Sequence, residues 1–196
     1  MSTIDPAHLA GKVYVAAKAA FGELKRNHPW SQFYAFGLWT DDSLQFLYPM
    51  ANTEESLTET VQRYQQQVDP KYGTVSSHDS LRWSYGDWGF ASCDEAGDFD
   101  EINDLLNANF ERMVEADEDD EELEDAFSEE VDRLFDAIAT GLYRLDQDGF
   151  FGSGEARAKV TLMLVGDLAP ELIEASVRLM NPPVVYERYM NLRGQA

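Results

Sequence analysis

The feature that most constrains the fold of this chain is the placement of its charge. The formal net charge is −22, and residues 94–136 hold 20 acidic residues against only Arg112 and Arg133. The rest of the chain carries 17 acidic and 13 basic residues, which nearly balance. Repulsion between the clustered carboxylates disfavours tight packing of this segment. The same field repels nucleic acid and anionic membranes, and it attracts basic partners.

The charge is densest at residues 115–125, where only Ala116 and Leu123 interrupt nine acidic residues. This pattern predicts a solvated loop or helix junction. Three interpretations stay open, namely a solubilising linker, a binding face for a cationic protein and a cation site. An EF-hand loop needs a glycine at its sixth position, which this stretch lacks, so no metal site is predicted. The predicted binding residues are Asp117, Glu118, Asp119, Asp120, Glu121 and Glu122.

Length and composition predict a single domain over residues 1–196, with a full hydrophobic core. A hydrophobic fraction of 44% and an aromatic fraction of 12% are typical of a globular protein. Cys93 is the only cysteine, so no internal disulfide forms. No apolar run reaches the length of a transmembrane helix, and residues 1–12 contain no apolar stretch of the signal-peptide type. We expect a soluble cytoplasmic protein that does not bind membranes, while export by a signal-less route and the oligomeric state stay open.

Hydrophobic periodicity predicts an α+β fold with helices and strands mixed along the chain. Phe33 to Trp39 is apolar on both faces and predicts a central strand, and Leu44 to Tyr48 predicts its returning partner. Asp5 and Thr53 are predicted to cap the helices that follow them. The sequence therefore predicts an antiparallel sheet, packed with about five helices. Its strands are a hairpin at 32–49 and short strands near 80–92 and 159–166.

An aromatic cluster around Asp87 offers a candidate site with two interpretations. Trp83 and Trp88 flank this aspartate, and a carboxylate in an aromatic setting can act as a general acid or base, with Tyr34 or Arg82 assisting. The structural interpretation has the two tryptophans filling the core. Asp87 then accepts hydrogen bonds from the turn backbone or pairs with Arg82.

Other motifs that bring chemistry are absent from the sequence. The three histidines lie far apart, and no Cys-x-x-Cys or His-x-x-x-His pair occurs. The glycines at 149, 152 and 154 follow a helix and lack the lysine of a P-loop, so we interpret them as a turn. The sequence therefore predicts neither a metal nor a cofactor.

Seven motifs are spread along the chain. They are Phe33-Tyr34-Ala35-Phe36, Trp39-Thr40-Asp41, Asn52-Thr53-Glu54-Glu55, Leu81-Arg82-Trp83-Ser84, Asp87-Trp88, Gly149-Phe150-Phe151-Gly152 and Ser176-Val177-Arg178-Leu179-Met180-Asn181-Pro182. Together they resemble the bacterial family labelled domain of unknown function 4303, over about residues 10–185. The resemblance implies no particular activity, and it does not include the acidic stretch at 117–125. Small acidic single-domain bacterial proteins of this kind are similar in character to immunity proteins of toxin systems.

These observations lead to one functional hypothesis and two alternatives. The leading hypothesis is a non-catalytic binding protein that engages a basic protein partner, for example a toxin, through its acidic face. The first alternative is an enzyme or small-ligand-binding protein with a pocket near Trp83, Asp87 and Trp88. The second is a DNA mimic, which needs carboxylates held in ordered rows.

Overall fold

A four-stranded sheet with helices on both of its faces forms the framework of the protein. The computed structural model describes residues 4–91, 96–116 and 121–193. In chain order the helices and strands are α1 (Pro6–Asn27), β1 (Phe33–Asp41), β2 (Tyr48–Thr53), α2 (Glu54–Gln67), α3 (Val75–Arg82), β3 (Phe90–Ala91), α4 (Asp100–Ala116), α5 (Glu121–Gln147), α6 (Gly154–Ala158), β4 (Thr161–Asp167), α7 (Pro170–Met180) and α8 (Pro183–Arg193).

Local sequence sets the beginnings of the main helices. The carboxylate of Asp5 accepts the backbone N–H of Ala7 at 3.0 Å and caps α1. Thr53 caps α2, because its hydroxyl accepts the backbone N–H of Ser56 at 3.2 Å. Each cap satisfies an N–H group that has no partner inside its helix. Both predicted caps are therefore confirmed.

The sheet has the strand order β3-β2-β1-β4, so β1 is central as predicted. The strand β1 pairs antiparallel with β2 but parallel with β4. The α+β class is confirmed, whereas the prediction of a purely antiparallel sheet is wrong. The strand β3 is antiparallel to β2 and so runs in the same direction as β1. The helices between β3 and β4 then return the chain to the end of the sheet where β1 begins, which lets β4 pair parallel with β1.

The returning strand lies later in the chain than the sequence predicted. The predicted strand from Leu44 to Tyr48 is mostly irregular, and β2 begins only at Tyr48. The side chain of Asn103 on α4 accepts the N–H of Leu47 at 2.7 Å and donates to its carbonyl at 3.3 Å. An amide side chain therefore supplies the hydrogen bonds that a neighbouring strand would give.

Within the segment predicted as short strands near 80–92, one strand forms, the two-residue β3. The other described residues of this segment include the end of α3 and a 3₁₀ turn at Tyr85–Asp87 in place of a second strand. A run of five residues is too short for its hydrophobic pattern to distinguish a strand from one turn of a helix. Tertiary contacts fix the helical choice here, because the carbonyl of Arg82 at the end of α3 accepts the hydroxyl of Tyr34 and the indole N–H of Trp88.

Two hydrophobic cores lie on opposite faces of the sheet. One packs α1, α4 and α5 against Phe36, Leu38 and Leu164. The other packs α2, α3 and α8 against residues of the opposite face, including Met163 and Val165. Alternation along each strand sends neighbouring side chains to opposite faces, which is why one apolar strand serves both cores. The C-terminal helix α8 packs on the sheet through Tyr189, which is buried in the second core.

Candidate functional site

Side chains, rather than the turn backbone, hold Asp87 in place. One of its oxygens accepts the guanidinium of Arg63 at 2.7 Å. The other accepts the hydroxyl of Tyr64 at 2.9 Å and that of Ser84 at 3.0 Å. Asp87 lies in the 3₁₀ turn Tyr85–Asp87, and two of its partners come from α2. The carboxylate therefore ties this turn to α2.

The expected pairing of Asp87 with Arg82 is wrong. Arg82 instead forms a two-pronged ion pair with Glu54 at the start of α2, with distances of 2.8 and 2.7 Å. The guanidinium of Arg82 also lies over the ring of Tyr34, 4.4 Å from the ring centroid. Arg82 and Asp87 are close in the sequence, which suggested that they pair. Arg82 lies at the end of α3, however, and from there its side chain reaches Glu54.

A cleft of about 350 Å³ opens beside Asp87, lined in part by Ser56, Thr60 and Arg63. Arg63, Tyr64 and Ser84 already occupy three of the roughly four acceptor positions of the Asp87 carboxylate. The hydrogen bond to Asp87 also raises the pKa of Tyr64. The geometry therefore favours the structural interpretation of Asp87 over the catalytic one.

The two tryptophans of the predicted site have different surroundings. Trp88 is buried, and its indole N–H donates to the carbonyl of Arg82 at 3.1 Å. Trp83 packs edge-on against Tyr34 and Tyr189, with ring centroids 6.0 and 5.0 Å away. The Nε1 atom of Trp83 is buried and has no hydrogen-bond acceptor among the described residues. An unmet buried donor is costly, so Trp83 differs from an ordinary core tryptophan.

Trp83 lines a second cleft, of about 260 Å³, and Asp87 is not among the residues that line it. Three cations, Arg82, Lys159 and Arg188, also line this cleft, and we call it the cationic cleft. Its other charged residues are Glu54, already paired with Arg82, and Asp79. The cations come from α3, the turn before β4 and α8, so the cleft forms only in the folded chain.

Burial sets the electrostatics of the cationic cleft. Burial, and after it the charge of Arg82, lowers the pKa of Arg188. Burial opposes the charge of Arg82 as well, but the Glu54 carboxylate raises the pKa of Arg82 overall. Burial also raises the pKa of Tyr34, whose hydroxyl accepts the side-chain amide of Asn52 at 2.8 Å. Tyr34 is therefore a neutral donor at neutral pH.

Sequence reasoning found only part of this cleft. It singled out Tyr34, Arg82 and Trp83, but as companions of Asp87. Lys159 and Arg188 were missed, because neither belongs to a motif and 29 positions separate them along the chain. The residues of the cleft meet only because the sheet and the helices pack together, so their spacing in the sequence does not predict that they are neighbours.

The described part of the acidic segment presents an ordered line of carboxylates. Asp125, Glu129, Asp132 and Asp136 on α5 are all exposed, and we call them the acidic stripe. Their spacing of four, three and four residues places them on one face of the helix, over about 16 Å along its axis. Of the predicted binding residues, Glu121 and Glu122 are the first two residues of α5. Asp117, Glu118, Asp119 and Asp120 lie outside the described residues.

The acidic stripe has no ion-pair partner among residues 4–91, 96–116 and 121–193. Arg133 lies on the same helix, but its guanidinium binds Glu130 and donates to the backbone carbonyl of Ile4. Asn109 of α4 donates to Glu130 as well, at 3.2 Å. The neighbouring cation is therefore used inside the fold, and the charges of the stripe face solvent.

Among the described residues, no group of three or more histidine, cysteine, aspartate or glutamate side chains is arranged to hold a metal ion. Among the described helices, none combines the length and the apolar character that a membrane span requires.

Comparison with known proteins identifies the family. The family model described as Domain of unknown function (DUF4303) matches residues 13–182. The chain belongs to this family. The resemblance seen in the sequence motifs is thus confirmed, and the match contains the acidic stripe, Arg82 and Lys159 but ends before α8. No curated protein and no solved structure matches the chain significantly.

Proposed function

We propose that this protein is a non-catalytic binding protein that engages a basic protein partner through the acidic stripe. The observation that carries the proposal is the alignment of four exposed carboxylates on one face of α5, with no cation paired to them in the described chain. A row of like charges raises the local potential above that of the same charges scattered over a surface. Such a field increases the rate at which an oppositely charged partner arrives and sets its orientation.

Phe127 of α5 lies about 200° around the helix from Asp125, so it faces away from the acidic stripe. It meets Phe110 of α4 edge-on, with ring centroids 6.3 Å apart, and this contact joins the two helices. The proposal therefore depends on the charge of the stripe and not on an apolar surface beside it.

The proposal includes a cytoplasmic location for the protein and its partner. Its single cysteine, Cys93, gives no internal disulfide, which is typical of proteins from reducing compartments. A toxin neutralised inside the cell would be one such partner.

Two variants with equal net charge test the proposal. The stripe variant neutralises the four stripe residues, and the scattered variant neutralises four exposed acids elsewhere, so only the position of the lost charge differs. The stripe variant carries Asp125→Asn, Glu129→Gln, Asp132→Asn and Asp136→Asn. The scattered variant carries Asp42→Asn, Asp167→Asn, Glu171→Gln and Glu187→Gln.

The wild type and both variants are used to capture partners from native cells at low salt, and the association rate of the purified partner is then measured against salt. We expect the stripe variant to associate about tenfold more slowly, with a weaker salt dependence, and the scattered variant to stay near the wild type. Equal rates for the stripe variant and the wild type would contradict the proposal.

The row of carboxylates also supports a narrower second candidate, a DNA mimic. In that case the basic partner is itself a nucleic-acid-binding protein, and the stripe occupies the surface that binds phosphates. Competition separates the two candidates. Duplex DNA should displace the protein from a nucleic-acid-binding partner, whereas it should not displace the protein from a toxin that binds no DNA.

A further inference from the structure

The cationic cleft is a positively charged recess on a strongly acidic protein. The chain has a net charge of −22, yet Arg82, Lys159 and Arg188 line one cleft of about 260 Å³. Chance alone would place few cations together on such a chain, and like charges repel each other. A concentration of cations in a recess therefore calls for a negatively charged group to balance it.

Only one of the three cations is neutralised by a protein carboxylate. Arg82 is paired with Glu54 through two short hydrogen bonds. Arg188 donates to neutral oxygens, the carbonyl of Ala158 and the hydroxyl of Thr161. These two contacts use two of the five N–H donors of its guanidinium. Neither Arg188 nor Lys159 has a carboxylate within 4.0 Å among the described residues.

A second, independent observation also points to a ligand. Trp83 lines the cleft, and its Nε1 is a buried donor without an acceptor in the described chain. Native proteins seldom leave such donors unmet, because each costs about 1–3 kcal/mol. For an oxygen atom in the cleft to accept this N–H, ligand binding would have to open the wall over it, because solvent does not reach Nε1 in the structure.

The remaining walls of the cleft indicate what kind of anion fits. Phe33, Tyr34, Trp83 and Leu192 contribute aromatic and apolar surface. Asp79 and the paired Glu54 lie at the same cleft and would repel a second negative charge. A monoanion with a flat or apolar body meets both conditions, whereas a phosphate dianion meets neither.

We propose that the cationic cleft binds a small organic carboxylate carried on an aromatic or apolar body. Arg188 and Lys159 bind the carboxylate, the indole N–H of Trp83 donates to one of its oxygens, and the aromatic wall packs against its body. This proposal does not depend on the acidic stripe, since the two surfaces share no residue.

Benzoate is the probe for the first test, with benzamide as its uncharged counterpart and inorganic phosphate as a dianion. The indole N–H resonance of Trp83 is followed by NMR and is identified by its disappearance in Trp83→Phe. We expect a saturable shift with benzoate, little shift with benzamide and weaker binding of phosphate. Equal shifts with benzoate and benzamide, tighter binding of phosphate, or no saturable shift would overturn the proposal.

Matched substitutions locate the anion. Arg188→Gln should weaken benzoate binding about tenfold or more, because it removes a charge-assisted hydrogen bond. Lys159→Gln should weaken it several-fold and, being exposed, leaves the fold intact if Arg188→Gln does not fold. Arg178→Gln removes an equal charge from an exposed position outside the cleft and should leave binding unchanged. Undiminished binding in Lys159→Gln, or equal losses in all three variants, would contradict the assignment.

Discussion

The acidic stripe and the cationic cleft place opposite charges in opposite physical settings. The stripe comes from twelve consecutive positions of one helix, and its four side chains are exposed to solvent. The cleft combines residues from three separate parts of the chain, and the side chain of Arg82 is only 15% exposed. Under the two proposals, the stripe would act over distance before contact, whereas the cleft would act on a ligand that has entered it.

Salt and dielectric environment explain why the two surfaces suit different roles. Charges in water are screened over about 8–10 Å at ordinary ionic strength, so the proposed steering of a partner by the stripe should be strongest at low salt. Partly buried charges are screened less, and their hydrogen bonds depend on geometry. Loss of one charge should thus change rates at the stripe, but affinity and folding stability at the cleft.

The largest expected effect on stability is at the cleft. Arg82→Gln removes both hydrogen bonds to Glu54 and the contact with the Tyr34 ring. We expect the free energy of unfolding to fall by about 2 kcal/mol, measured by urea denaturation. Arg63→Gln is the control, since it breaks the ion pair of a half-exposed arginine with Asp87 and should cost less than about 1 kcal/mol. Equal losses of unfolding free energy in Arg82→Gln and Arg63→Gln would contradict the expectation that the more buried ion pair contributes more to stability.

The second-largest expected effect on stability is at Gly141, on the face of α5 that packs against α1 and not on the exposed stripe. A Cβ added at Gly141 would lie 2.8 Å from the Ala10 carbonyl and from Val13 of α1, so the two helices meet closely there. Gly141→Ala should destabilise the protein by about 1–2 kcal/mol in thermal or urea unfolding, even after the gain in helix propensity.

Gly11→Ala provides the matched control for that substitution. It lies on α1, and nothing lies within 4 Å of its added Cβ. Better helix propensity should therefore stabilise the protein by up to about 1 kcal/mol. If both alanine substitutions stabilise the protein, the result would contradict a close contact between α1 and α5 at Gly141.

The smallest effect is at the stripe itself. Neighbouring like charges at helical spacings of three and four residues destabilise a helix by about 0.2–0.5 kcal/mol per pair. The stripe variant should therefore be more stable than the wild type by about 0.5–1 kcal/mol at low salt, and the gain should shrink at high salt. The substitutions of the scattered variant remove no such row of neighbouring charges, so we expect no comparable gain in stability from them. An equal gain in both variants would assign the effect to net charge rather than to the row.

Local patterns predicted the parts of this protein that depend on local forces. The caps at Asp5 and Thr53 were predictable because a side-chain oxygen needs only the next turn of helix. The central position of β1 followed from its apolar residues on both faces. The returning strand was misplaced because Asn103, more than fifty residues away, satisfies the backbone of Leu47. No local pattern contains that contact.

The candidate surfaces divide in the same way. The sequence by itself determined that the segment around α5 would be acidic and solvated, since clustered carboxylates repel each other and cannot be buried unpaired. Only the tertiary structure decided that four of them form a row on an ordered helix. It also decided that Arg82 turns to Glu54, and that Lys159 and Arg188 join it at one cleft with Trp83. Those contacts depend on how sheet and helices pack, which charge and periodicity do not encode.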